Sequence, residues 1–269
     1  MLQPESQQPL FKAKTAKKWL EVIGVPIVFS LGIFALWEMI VLAFNIPAYL
    51  LPAPSMIFTE LATSFGSLLG HIGLTMLEAT AGYAIGNAMG FGLAILFAHS
   101  KYIEKGLYPY AIALKTTPII AMAPLLVLWL GTGFESKVAT AALICFFPII
   151  VNTVKGLHSV DSDAIDLFRS YRANRFQVFT KLSLPIALPY VFSALKIATG
   201  LSVVGAVVGE FVGANEGIGY VILVSSYHLE TVTMFAAIIV SALGGIAFFA
   251  VVSLLEKRII YWQKGIETT

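Results

Sequence analysis

Residues 155–189, KGLHSVDSDAIDLFRSYRANRFQVFTKLSLPIALP, form the one long polar stretch in an otherwise apolar chain. Asp161, Asp163, Asp166, Arg169, Arg172, Arg175 and Lys181 lie here between two long hydrophobic runs. A mostly membrane-embedded chain keeps such a segment only where water or a partner protein satisfies its charges. The stretch therefore marks an aqueous face, and the flanking runs read as membrane spans.

Composition agrees. Of the 269 residues, 58% are hydrophobic and 12% charged, against about 25% charged in a soluble domain. The apolar runs reach about 20 residues, the length needed to cross a hydrocarbon core about 30 Å thick. The expectation is an all-α polytopic membrane protein with six transmembrane helices, at about 22–44, 73–98, 107–130, 138–156, 186–212 and 232–255. Residues 1–21 read as an N-terminal tail, 22–257 as the transmembrane domain and 258–269 as a C-terminal tail. No small-residue cleavage site follows the first run, so it reads as a retained span. The single cysteine, Cys145, leaves no disulfide and no cysteine-based metal site.

An even number of spans places both termini on one side. Lys12, Lys14, Lys17, Lys18, Lys101, Lys105, Lys155, Arg169, Arg172, Arg175, Lys181, Lys257, Arg258 and Lys264 then share a face, and Lys137 alone lies opposite. The positive-inside rule makes the crowded face cytoplasmic. On the opposite side, Pro54-Ser55 opens a short helix that Ser55 is expected to cap. The apolar run after Gly213, Gly217 and Gly219 is too short to span, and reads as re-entrant or interfacial. Gly82, Gly86 and Gly90, four residues apart, share a helix face suited to close packing. Pro118 and Pro124 are expected to disturb the third span and Pro148 the fourth.

Within the polar loop, Asp161 or Ser162 is placed to cap a helix running to about Tyr171, and Asn174 a second one toward Leu182, with Leu184-Pro185 closing the polar section. Phe168, Tyr171, Phe176 and Phe179 supply aromatic anchors. From the residues alone two readings stay open: a compact docking knob for a partner, or aromatics at the membrane interface with arginines obeying the inside rule.

The segment DLFRSYRANRFQVFTKLSLPIALP resembles the cytoplasmic "EAA" loop of permease subunits in bacterial ATP-binding-cassette importers. Asp166-Leu167-Phe168 stands in the E-A-A place, and Leu182-Ser183-Leu184-Pro185 matches the closing I-x-L-P. Arg172 occupies the glycine position, a departure at a bend where positive φ costs a non-glycine residue on the order of 1 kcal/mol. PIIAMAPLLVLWLGTG (118–133), FFPIIVNTVKGL (146–157) and LPYVFSALKIATGLSVVGAVVGEFVG (188–213) are similar, in order, to the nitrate, sulfonate, taurine and pyrimidine-precursor branch of these permeases.

The resemblance implies a type I importer of the MetI-like fold in the bacterial inner membrane. Two copies of the permease would form the pathway for a small polar solute: nitrate, a sulfonate, taurine, bicarbonate or a pyrimidine precursor. Two ATPase subunits would carry ATP and Mg, and a periplasmic or lipid-anchored binding protein would deliver the solute. The loop, about 157–185, would dock into the ATPase through Asp163, Asp166, Leu167, Phe168, Arg169, Tyr171, Arg172, Ala173, Asn174, Phe176, Leu184 and Pro185. No cofactor and no nucleic acid is implied for the chain itself.

The chain has no G-x-x-x-x-G-K-[ST] phosphate loop, so it is not the ATPase. His71, His99, His158 and His228 are scattered, and no catalytic role is expected for them. Glu38, Glu78, Lys115, Lys196 and Glu210 fall in or near spans, where an ionisable group costs about 2.5–3.5 kcal/mol and tends to face water or a partner. Lys115 and Lys196 are expected in an inner vestibule, and Glu38 in packing at the interface. Glu210 either lines the pathway or makes a helix-to-helix or helix-to-loop hydrogen bond. Two rival readings would need other features. A gradient-driven secondary transporter would show paired midspan carboxylates in repeated halves, and a membrane enzyme would show a clustered acid or histidine set.

Overall fold

The computed structural model describes residues 24–263, so the N-terminal lysines and the last six residues lie outside the described part. The described chain is helical throughout: α1 Val25–Ala43, α2 Pro54–Thr63, α3 Phe65–His99, α4 Lys101–Thr116, α5 Ile119–Leu130, α6 Phe134–His158, α7 Ser162–Ser170, α8 Arg175–Val178, a π-turn Phe179–Ser183, α9 Leu184–Glu210, α10 Ile218–Tyr227 and α11 Thr231–Ile259. Among the described residues, five helices are long and apolar enough to cross a membrane: α1, α3, α6, the continuous run Arg175–Glu210, and α11.

The expected third span, 107–130, is not a single helix. It consists of α4 and α5, separated at Thr117-Pro118, where Pro118 takes φ −62° and ψ 117°. Proline supplies no N–H and drives the residue before it out of the helical region. The hydroxyls of Thr116 and Thr117 both donate to the Ala113 carbonyl, at 2.8 and 3.1 Å, and so satisfy part of the ended turn. Pro124 and Pro148 sit inside unbroken helices.

Helix α6 is the centre of the bundle and packs along α3 on one side and α9 on the other. Small residues allow the approach. A Cβ at Gly82 would stand 2.5 Å from that of Ala141, one at Gly86 would overlap the Ala142 carbonyl, and one at Gly90 would overlap Ile149. Gly205 and Gly209 of α9 likewise lie against Ala141 and Lys137 of α6. The expected glycine face of 82, 86 and 90 is therefore the α3–α6 contact. By contrast, α1 and α11 bury little of their length and leave wide apolar faces outward.

One end of the bundle carries the polar loop, which the ring of Phe179 ties to His99 at the end of α3, with centroids 5.4 Å apart. The far end carries α2 and α10. There Thr231 donates to the Tyr49 carbonyl at 2.6 Å and Thr233 to Glu60 at 3.2 Å.

Candidate functional site

The polar loop is a helical hairpin whose every end is capped. Asp161 caps α7, its side chain accepting from the Asp163 N–H at 3.0 Å. At the other end Arg172 adopts φ 56°. The Ala173 N–H reaches the Phe168 carbonyl at 3.0 Å and the Arg172 N–H reaches that of Arg169 at 2.8 Å. Those two bonds are a Schellman termination. The bend expected of a glycine is thus made with arginine in the left-handed region, and the local strain is offset by two terminal hydrogen bonds. Asn174 then starts α8 with a reciprocal capping box: Gln177 N–H to Asn174 Oδ1 at 2.8 Å, and Asn174 N–H to Gln177 Oε1 at 2.9 Å.

The second helix does not stop near Leu182, where the sequence places its end. It runs through a π-turn, in which the Leu184 N–H bonds the Phe179 carbonyl, into α9. The wider turn shifts the hydrogen-bond register just ahead of Pro185, so the proline sits in a first turn that requires no N–H. The hairpin is consequently joined to a long helix without a flexible link.

The four aromatic anchors do not act alike. Tyr171 and Phe176 are 81% and 73% exposed, and Leu167 is 56% exposed. Phe168 and Phe179 are half-buried, as are Ala173, Leu184 and Pro185. Leu167, Phe168, Tyr171, Ala173, Gln177 and Lys181 line an open cleft of about 420 Å³ in the hairpin. Asp163, Asp166, Arg169, Arg172 and Asn174 are exposed around it. Asp166 and Arg169 pair with one another at 3.0 Å. A pair so exposed contributes at most about 1 kcal/mol, so both remain available to other partners.

Most ionisable residues within the spans have partners; Lys115 lies in α4 with its side chain outside the described part, and Glu78 keeps a buried Oε2 without a hydrogen-bond partner. Glu38 accepts from both the backbone N–H and the hydroxyl of Ser55, at 3.0 and 2.7 Å. It thereby corrects the expectation that Ser55 caps α2: Ala53 stands at the cap position, and the bound acceptor comes from α1. Lys196 of α9 forms an ion pair with Glu256 of α11 at 2.7 Å, both about three-quarters buried or more. Lys137 is buried, with its ammonium on the Thr132 and Gly133 carbonyls, the latter at 2.9 Å.

Glu210 is 1% exposed and bonds to two other helices, α3 and the first turn of α10. Thr75 of α3 donates to its Oε1 at 2.6 Å, and the Gly219 N–H donates to its Oε2. Glu78, one turn beyond Thr75, brings a second buried carboxyl against it. The Ile218 N–H reaches Thr75 Oγ1 at 2.8 Å and the Gly217 N–H reaches His71 Nδ1 at 3.1 Å. His71, Thr75 and Glu256 were missed in the sequence. His71 looked like one of four scattered histidines, and Glu256 lies just past the expected end of the sixth span.

A family model described as "Binding-protein-dependent transport system inner membrane component" matches residues 86–261. The chain is 36% identical to the formylaminopyrimidine transport permease protein ThiX of Halalkalibacterium halodurans over 89% of its own length and 96% of that protein. It is 32% identical to the putative aliphatic sulfonates transport permease protein SsuC of Bacillus subtilis, over 98% and 96%. Among solved structures, a chain of the inward-facing MetNI methionine ABC transporter superimposes with a TM-score of 0.62 at 17% identity, covering 74% of this chain and 97% of that one.

Proposed function

This chain belongs to the family of binding-protein-dependent transport system inner membrane components, and on that premise we propose that it is the permease subunit of an ATP-driven importer, coupled to its ATPase through the 162–183 hairpin. Two copies enclose the pathway, two ATPase subunits bind beneath them with ATP and Mg, and a binding protein delivers solute from outside. The chain itself supplies no catalytic group and no cofactor site. Both termini are cytoplasmic, and α4 with α5 completes the sixth crossing as a broken span.

The observation that carries this reading is the hairpin. It offers exposed Leu167, Tyr171 and Phe176 on a doubly capped unit that continues into α9. A rigid element transmits displacement, so a push on the hairpin is delivered along a helix that crosses the membrane. The solute is a small polar molecule. Relatives at 36% and 32% identity carry names pointing to a formylaminopyrimidine and to aliphatic sulfonates, which keeps the proposed class at that breadth.

The test is co-purification of the chain with its cognate ATPase, comparing wild type with a Tyr171→Ala, Phe176→Ala double variant. Both side chains are exposed, so the variant is expected to fold and to lose the ATPase. A variant that retains the ATPase as the wild type does would refute docking through this surface.

A further inference from the structure

Helix α10 has ten residues, about 15 Å of rise, and cannot cross the membrane. Its unbonded N-terminal N–H groups need acceptors, and three of them receive one from a longer helix. Gly217 N–H bonds His71 and Ile218 N–H bonds Thr75, both of α3, while Gly219 N–H bonds Glu210 of α9. The Thr75 hydroxyl lies within hydrogen-bond distance of both Glu210 Oε1 and the His71 carbonyl, so the three bonds form one connected unit. The glycines are shaped to it. Gly217 takes φ 102°, a Cβ there would overlap the Glu210 carboxyl, and one on Gly219 would lie 2.7 Å from Glu210 Oε2.

What α10 borders is also defined. Its Ile222 stands on the wall of an open groove of about 560 Å³ between α9 and α11, which is mostly apolar (Val203, Ile238 and Ile246 among its lining) with Thr199, Ser241 and Lys196 as its polar members. We infer that His71, Thr75 and Glu210 form a clasp that fixes α10 as the outer stop of this groove, so that Glu210 serves transport as a positioning residue and makes no contact with solute. This inference rests on the importer reading, and gives that reading an outer element whose position is set by named bonds.

The chemistry separates the two roles available to Glu210. A glutamine keeps one oxygen for the Gly219 N–H and presents its amide to the Thr75 hydroxyl, which has acceptor capacity left. A positioning role therefore survives Glu210→Gln, whereas a role needing the charge in the pathway does not. Glu210→Leu and Thr75→Val break the clasp.

The experiment uses the complex of chain and ATPase in lipid nanodiscs. It measures hydrogen exchange at residues 217–221 together with uptake in cells of two labelled probes, a formylaminopyrimidine and an aliphatic sulfonate, scored on whichever the wild type takes up. Glu210→Leu and Thr75→Val are expected to speed exchange in that segment at least tenfold and to lower uptake severalfold, with exchange in α6 unchanged. Glu210→Gln is expected to keep slow exchange and at least half of the uptake. Loss of uptake in Glu210→Gln with exchange unchanged would overturn the inference and assign the carboxyl to the solute. Wild-type exchange in Thr75→Val would overturn the clasp itself. Both outcomes are read in complexes that retain the ATPase, so they are distinct from a failure of the wild type to bind it, which bears on the importer reading alone.

Discussion

Replacing Gly86 by alanine tests the packing of the bundle directly, because the same helix supplies its own control. A Cβ at Gly86 would overlap the Ala142 carbonyl oxygen and come within 2.9 Å of the Ala142 Cα. Both are backbone atoms of α6 and cannot rotate away. A carbon normally approaches a carbonyl oxygen to about 3.3 Å, so α3 must lift from α6 by on the order of 1 Å. A gap of that size forfeits roughly a quarter to a half of each van der Waals contact along the seam. Overpacking of this kind costs about 1–3 kcal/mol. A Cβ at Gly92, two turns on, meets nothing within 4 Å, and alanine there recovers up to about 1 kcal/mol of helix propensity. Alanine gains that propensity at both positions, so the two variants differ by the overpacking cost, roughly 1–3 kcal/mol, on the order of several degrees in melting temperature for a chain of this size. Thermal unfolding of both proteins, purified in one detergent and followed by circular dichroism, measures the gap. Gly86→Ala melting with or above Gly92→Ala would refute the argument.

Arg172→Gly relieves the left-handed residue at the hairpin bend and should slow amide exchange at Arg172 and Ala173, by an amount worth about 1 kcal/mol; faster exchange would show that the arginine side chain stabilises the turn. Glu38→Ala removes both acceptors held by Ser55 and should cost α2 about 1 kcal/mol, read as faster exchange at residues 55–58 with α6 unaffected. Lys196→Met leaves Glu256 three-quarters buried without its partner and should destabilise by about 1–3 kcal/mol. Adding Glu256→Leu should return most of that loss, and a double variant no more stable than Lys196→Met would indicate that the pair carries no coupling.

Much of the fold is legible because the decisive signals are local. The lengths of the apolar runs predict five of the helices to within a few residues at most ends, although α3 begins at Phe65, eight residues before the expected span. Asp161 and Asn174 are read correctly as caps because a cap bonds an N–H two or three residues away. The glycine spacing points to a packed face because residues four apart share one.

The prolines show where local reading stops. Pro118, Pro124 and Pro148 each remove an N–H, yet only Pro118 ends a helix. Pro148 sits in α6, held between α3 and α9 along its length, whereas Thr116 to Pro118 are exposed and have no such support. Pro124 is also exposed yet lies inside unbroken α5, so neither the residue type nor exposure alone decides which proline ends a helix. The partners of the buried charges belong to the same class. Lys196 with Glu256, and Glu210 with Thr75 and Gly219, are brought together by helix packing across 60, 135 and 9 residues of chain. The chain by itself determined that there would be membrane helices, one charged capped hairpin and a family resemblance in ordered blocks. Tertiary structure alone decided which buried charge meets which acceptor, because a hydrogen bond between helices depends on their approach and rotation, which no spacing along one helix encodes.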